Sequence, residues 1–167
     1  MRVAQRLRLV VLGGATAVAA AAFTAPTAAA DPVGPAIGPA PISVYQIPAI
    51  GMTVSGLVVP GPYFGSVLAE TANVPGETTF SAPFRPELCS SSAGGALVRV
   101  SYLNVSSGDR GSVVVKPCVN FLEPAPERAT VRTGSGPVAF TVSVIGSGFY
   151  PRAGQPSLPG VGGFVAP

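Results

Sequence analysis

Histidine and tryptophan are absent from this chain, cysteine occurs twice and lysine once. Without histidine there is no Ser-His-Asp or Cys-His arrangement, no HExxH zinc site and no imidazole for acid-base work near neutral pH. A closed zinc site needs about four nitrogen or sulfur ligands, and two thiols fall short of that. No metal or other cofactor is therefore expected. A Ser-Lys mechanism survives without histidine, but Lys116 follows Ser112 by four positions, which misses the SxxK spacing. On a strand those two side chains stand about 13 Å apart, so an exposed lysine that discourages edge pairing is the simpler reading.

Charge is scarce as well, at 10% of the residues. The acids are Asp31, Glu70, Glu77, Glu87, Asp109, Glu123 and Glu127. Most adjoin proline or glycine turns, where solvation explains them. A hydrolase working through paired carboxylates ranks only third among the functional readings, and no DxDxDG-like run offers a calcium loop. The formal charge of +3 is concentrated at one end. Arg2, Arg6 and Arg8 precede an apolar stretch from Leu9 to Phe23, which leads to Ala28-Ala29-Ala30 before Asp31-Pro32. That pattern reads as a secretory signal peptide over residues 1–30, cleaved between Ala30 and Asp31. Its uncharged core is too short and too rich in alanine and glycine for a comfortable membrane anchor. With the signal gone, seven basic residues face seven acidic ones. No basic stripe is left for phosphates, so nucleic acid is not an expected partner.

No later apolar run reaches membrane-spanning length, and the exported chain is expected to have no transmembrane helix. Residues 31–167 suffice for one domain. Proline recurs every few residues from Asp31 to Pro41, which removes backbone donors and marks an extended arm over 31–41. The stretch PRAGQPSLPGVGGFVAP over 151–167 has the same character and is expected to lie along the domain or stay mobile. Its LPGVG lacks the threonine, apolar segment and basic tail of a sortase signal. The folded unit is expected over 42–150.

Inside that unit the hydrophobic period is two. Val138, Phe140, Val142 and Val144 share one face of a run whose other face carries Ala139, Thr141 and Ser143. Weaker runs occur at 43–47, 52–59, 64–70, 78–84, 96–105, 112–121 and 129–133, separated by breakers such as Pro60-Gly61-Pro62, Pro75-Gly76 and Gly134-Ser135-Gly136. Many short strands with turn signals between them predict an all-β fold. The expected architecture is a small antiparallel β-sandwich, immunoglobulin-like in architecture only, with a small β-barrel as the competitor.

Cys89 and Cys118 lie too far apart in sequence for a thioredoxin-like pair, and export favours their oxidation. A structural disulfide is expected. A hairpin turn within Ser106–Gly111 makes paired residue numbers sum to about 217, which sets Cys118 opposite the region of Arg99. The bond is then no simple cross-strand rung, and Cys89 must fold back over the sheet or across to the facing one. Asn104-Val105-Ser106 matches a glycosylation sequon.

Two aromatic pairs, Tyr63-Phe64 and Phe149-Tyr150, sit at element ends where a sandwich presents its loops. They are candidate binding residues, the alternative being that each pair closes the core beneath a turn. The Ala, Gly, Pro and Val bias resembles that of exported proteins of high-GC bacteria, a likeness of composition only. The leading expectation is a secreted or cell-envelope-associated β-domain without catalysis. It would act through a protein, a wall polymer or a small apolar ligand. The runner-up is an envelope pore or lipid-contact protein, suggested by the low charge and by hairpin strands near the length that crosses an outer membrane.

Overall fold

The computed structural model describes residues 38–54 and 60–167. The expected signal peptide, its Ala30–Asp31 junction and residues 31–37 of the expected arm lie outside these. Twelve strands and one single-turn helix occur among the described residues: β1 (Pro41–Ile42), β2 (Tyr45–Ile47), β3 (Ala49–Val54), β4 (Pro60–Gly65), β5 (Leu68–Thr71), β6 (Glu77–Ser81), α1 (Pro86–Cys89), β7 (Leu97–Asn104), β8 (Arg110–Val115), β9 (Arg128–Arg132), β10 (Gly136–Ile145), β11 (Ser157–Leu158) and β12 (Gly160–Ala166). All pairings are antiparallel.

The strands form three open sheets in the orders β2-β12-β10-β7-β8, β1-β5-β6-β9 and β11-β3-β4. None closes on itself, so the fold is a β-sandwich and the barrel alternative falls. Alternation of side chains explains how the layers meet. Val138, Phe140, Val142 and Val144 of β10 are buried, as are Val98 and Val100 of β7 and Phe164 of β12. Phe80 of β6, fully buried, packs on Tyr102 and edge-on against Phe164. The four-stranded sheet thereby covers one part of the five-stranded sheet. The three-stranded sheet reaches the far end of β10, where Gly65 of β4 lies close to Val144.

The 151–167 segment departs most from expectation. Instead of a tail it supplies β11 and β12, and β12 runs between β2 and β10 with Val161 opposite both Ile47 and Thr141. GVGGFVA does alternate: Gly160, Gly162, Phe164 and Ala166 face inward, while Val161, Gly163 and Val165 face outward. Its glycines conceal that period. The expected run 64–70 is split, because Ser66 and Val67 carry the chain from β4 in one sheet to β5 in another. The expected 112–121 strand ends at Val115.

The β7–β8 connection is built around Asn104, which is fully buried. Its Oδ1 accepts the backbone N–H groups of Ser106 and Ser107 at 2.9 and 3.1 Å, and its Nδ2 donates to the carbonyls of Thr133 and Ser135 at 2.8 and 3.0 Å. Gly108 takes φ +79°, the left-handed region in which glycine is favoured. These bonds centre the turn earlier than expected. Val98 pairs with Val115 and Arg99 with Val114, so paired numbers sum to 213 and Arg99 is not opposite Cys118. The sequon asparagine has both amide atoms engaged inside the protein, so the folded chain offers no acceptor there.

Cys89 and Cys118 form the disulfide, with Cα atoms 5.6 Å apart. It joins the end of α1, ahead of β7, to the segment just after β8. The bond thus closes the open end of the β7–β8 hairpin, neither crossing over the sheet nor forming a rung within it.

Candidate binding site

The four aromatic candidates do not form one site. Tyr63 is 3% exposed and meets Phe84 edge-on with ring centroids 5.1 Å apart. Its ring and hydroxyl occupy the space left by Gly51 and Gly154, where an added Cβ at either position would collide with them. The hydroxyl has no hydrogen-bond partner among the described residues. Burial disfavours the phenolate and pushes the Tyr63 pKa from 10.0 up to about 12. Tyr63 is thus packed as a core residue.

Its neighbour Phe64 points the other way on β4, exposed, beside a depression that Tyr63 also borders, together with Pro62, Pro83, Arg85 and Leu88. Phe149 and Tyr150 are also exposed and border a separate depression with Ser92, Pro151 and Arg152. Tyr150 leans edge-on against Phe121, with centroids 5.4 Å apart. Three of the carboxylates hold structure. Glu70 pairs with Arg128, Glu123 accepts the Phe149 N–H at 3.2 Å, and Asp109 accepts the Ser107 hydroxyl at 2.8 Å.

A larger feature emerges from comparing the outward faces of the two main sheets. On β5-β6-β9 the outer residues are mostly polar. Thr79 and Thr130 share a hydrogen bond at 2.8 Å, Glu70 meets Arg128, and Glu77 lies opposite Arg132. That face is built for water. On the five-stranded sheet the outer residues include Tyr45, Ile47, Leu103, Val161 and Val165, all exposed, with Ala139 and Thr141 between them. One cross-sheet row reads Tyr45, Gly163, Ala139, Leu103, Arg110, and the next reads Ile47, Val161, Thr141, Ser101, Ser112.

The small residues Gly163 and Ala139 lie between Tyr45 and Leu103, and two depressions border them, one beside Leu103, Arg110 and Ala139 and the other beside Tyr45, Gly163 and Val165. Arg99 and Arg110 are the only formal charges among the outer residues of the paired strands in this sheet, and neither is in an ion pair among the described residues. Tyr102, which reaches inward from the neighbouring position, donates its hydroxyl to the Arg132 carbonyl at 3.1 Å. Its pKa is raised first by burial and then by the charge of Asp109. Sequence reasoning missed this surface because its residues come from five strands, two of which, β2 and β12, carry weak or hidden alternation.

Compared with protein families, curated proteins and solved structures, the chain matches none of them. What the fold defines is the class: an antiparallel β-sandwich with an internal disulfide. Among its described residues no helix is long and apolar enough to cross a membrane.

Proposed function

We propose that this chain is an exported, disulfide-stapled β-sandwich that works by binding rather than by catalysis, and that its binding surface is the apolar outer face of the five-stranded sheet. The supporting observation is the asymmetry between the two outer faces. Water solvates a polar sheet face at no cost, whereas a contiguous exposed apolar patch marks a contact site in a soluble protein. The Cys89–Cys118 bond supports export, since such bonds persist in oxidising compartments. A protein, a wall polymer or a small apolar ligand is the partner class. A lipid surface is the second reading, favoured by Arg99 and Arg110 beside an apolar sheet.

Val161→Lys combined with Val165→Lys tests the surface. Neither side chain packs in the core, so melting shifts by no more than about 0.5 kcal/mol, while retention on a phenyl column falls sharply. A loss of stability above about 2 kcal/mol would show that the face is internal packing. Unchanged retention would place the dominant apolar surface elsewhere. The mass of the protein recovered from culture medium and envelope fractions tests export. Cleavage after Ala30 and loss of two thiol hydrogens are expected, and an intact reduced chain in the cytoplasm would refute it.

A further inference from the structure

We propose that the partner of this face is a second copy of the chain, docked sheet to sheet about a two-fold axis that runs along β10. The inference rests on the reading that the outer face of the five-stranded sheet is a contact surface. β10 is the middle strand of five, so rotation about it exchanges β2 with β8 and β12 with β7 while leaving each row opposite itself. In the row from Tyr45 to Arg110, Leu103 then falls on Gly163 of the second copy, and Ala139 meets Ala139. Arg110 falls on the ring of Tyr45. A projecting side chain enters a gap, and a cation meets an aromatic face.

The adjoining edge agrees with this. Val165 lies opposite Pro137, whose carbonyl accepts the Val105 N–H, so the same rotation lays Val165 over Val105. An axis across the strands does the reverse, setting Arg110 against Arg110 and Gly163 against Gly163. Self-complementarity of this kind is what an isologous dimer requires.

The face has the size of a weak, transient interface. Five strands about 4.8 Å apart are separated by four gaps and span about 19 Å, and seven residues of β10 at about 3.4 Å each span about 24 Å. Two copies then cover about 900 Å² of sheet plane together, less at the edge where β2 contributes only Tyr45–Ile47, which is just under the roughly 1,000 Å² of a stable specific interface and in the range of transient contacts. The dimer is accordingly a weak one, in the micromolar range, ~1 to 100 µM.

The test uses sedimentation equilibrium of the purified, oxidised protein over about 1 to 300 µM, with three sets of variants. Ala139→Glu sets two carboxylates against each other on the axis and is expected to raise the dissociation constant at least ~100-fold with unchanged melting. Tyr45→Leu is expected to raise it ~10-fold or more, because the cation-aromatic contact occurs twice per dimer. Ala139→Cys is expected to give a covalent dimer with a short bis-maleimide, whereas Thr130→Cys, on the outer face of β9, stays monomeric.

Three results would overturn the proposal. One is a monomer at every concentration. Another is a dimer untouched by Ala139→Glu or cross-linked equally through Thr130→Cys. The third is a monomer that sediments with phosphatidylglycerol vesicles in an Ala139→Glu-sensitive way, which would assign the face to lipid. A monomer whose phenyl-column retention still falls in the Val161→Lys, Val165→Lys protein would refute the dimer and leave the contact face standing. Unchanged retention would remove both.

Discussion

Tyr63→Phe removes one oxygen from the core, and the structure determines the sign of its effect. The Tyr63 hydroxyl is buried without a partner among the described residues. A hydroxyl in that position retains a desolvation cost of about 1 to 3 kcal/mol, and an apolar replacement of the same shape removes it. Phenylalanine keeps the ring between Gly51 and Gly154 and its edge-on contact with Phe84. The variant should therefore be more stable by about 1 kcal/mol, which raises Tm by roughly 4 °C in a domain of this size.

Alkaline pH gives an independent measure of the same group. The folded protein holds the Tyr63 proton up to a pKa of about 12, whereas the unfolded chain releases it near 10.0. Above pH 10 the unfolded state binds fewer protons than the folded one, so stability falls as pH rises from 10 towards 12. At about 1.4 kcal/mol for each tenfold change in proton affinity, this amounts to about 3 kcal/mol. Urea unfolding of both proteins at pH 8, 10, 11 and 12 isolates the contribution, because every other titrating group is common to the pair. The gap between the two should be widest at pH 12. A destabilised Tyr63→Phe protein, or a gap that does not grow with pH, would refute the picture of a desolvated, unpartnered phenol.

Three further outcomes follow from the fold. Replacing both Cys89 and Cys118 by alanine should cost about 3.6 kcal/mol in the chain-entropy description of a 29-residue separation, read by urea unfolding, and melting equal to that of the parent would deny the bond a structural role. Asn104→Ala strands two turn N–H groups and two carbonyls and should cost about 3 kcal/mol, with loss of amide-exchange protection concentrated at the β7–β8 turn. Truncation after Pro159 removes β12 from between β10 and β2, uncovers a long sheet edge and the Phe80 contact of Phe164, and should leave an aggregating chain; a soluble truncated protein with the parent circular dichroism spectrum would contradict the central position of β12.

How much of this was legible in the sequence varies from strand to strand. β10 was readable because four of its inward positions are Val138, Phe140, Val142 and Val144, and a period of two in large apolar residues has few other solutions. The disulfide was readable from composition and from the expectation of export, although its place was not. Asn104 holds the turn through its own side chain, and that shifted the hairpin register by four in the pair sum and moved Arg99 away from Cys118. β12 was illegible because glycine alternates with nothing visible at Gly160 and Gly162. Those positions tolerate no larger group: an added Cβ at Gly160 would strike the backbone of Ile47–Ala49, and one at Gly162 would strike Phe140. The glycines that suggested a tail lying along the domain or staying mobile are instead what lets a strand fit between two others.

Tyr63 and Phe64 show the division most clearly. Their adjacency on a strand requires opposite faces, and opposite fates follow from local geometry alone: one ring enters the core and the other meets solvent. Nothing local says that Tyr45, Gly163, Ala139, Leu103 and Arg110 belong together. Their alignment depends on hydrogen-bond register between segments up to 118 residues apart, Tyr45 to Gly163. Side-chain direction along a strand is a property of consecutive residues, whereas the make-up of a sheet face is a property of which strands become neighbours. That choice is made by long-range packing around Phe80 and the valines of β10.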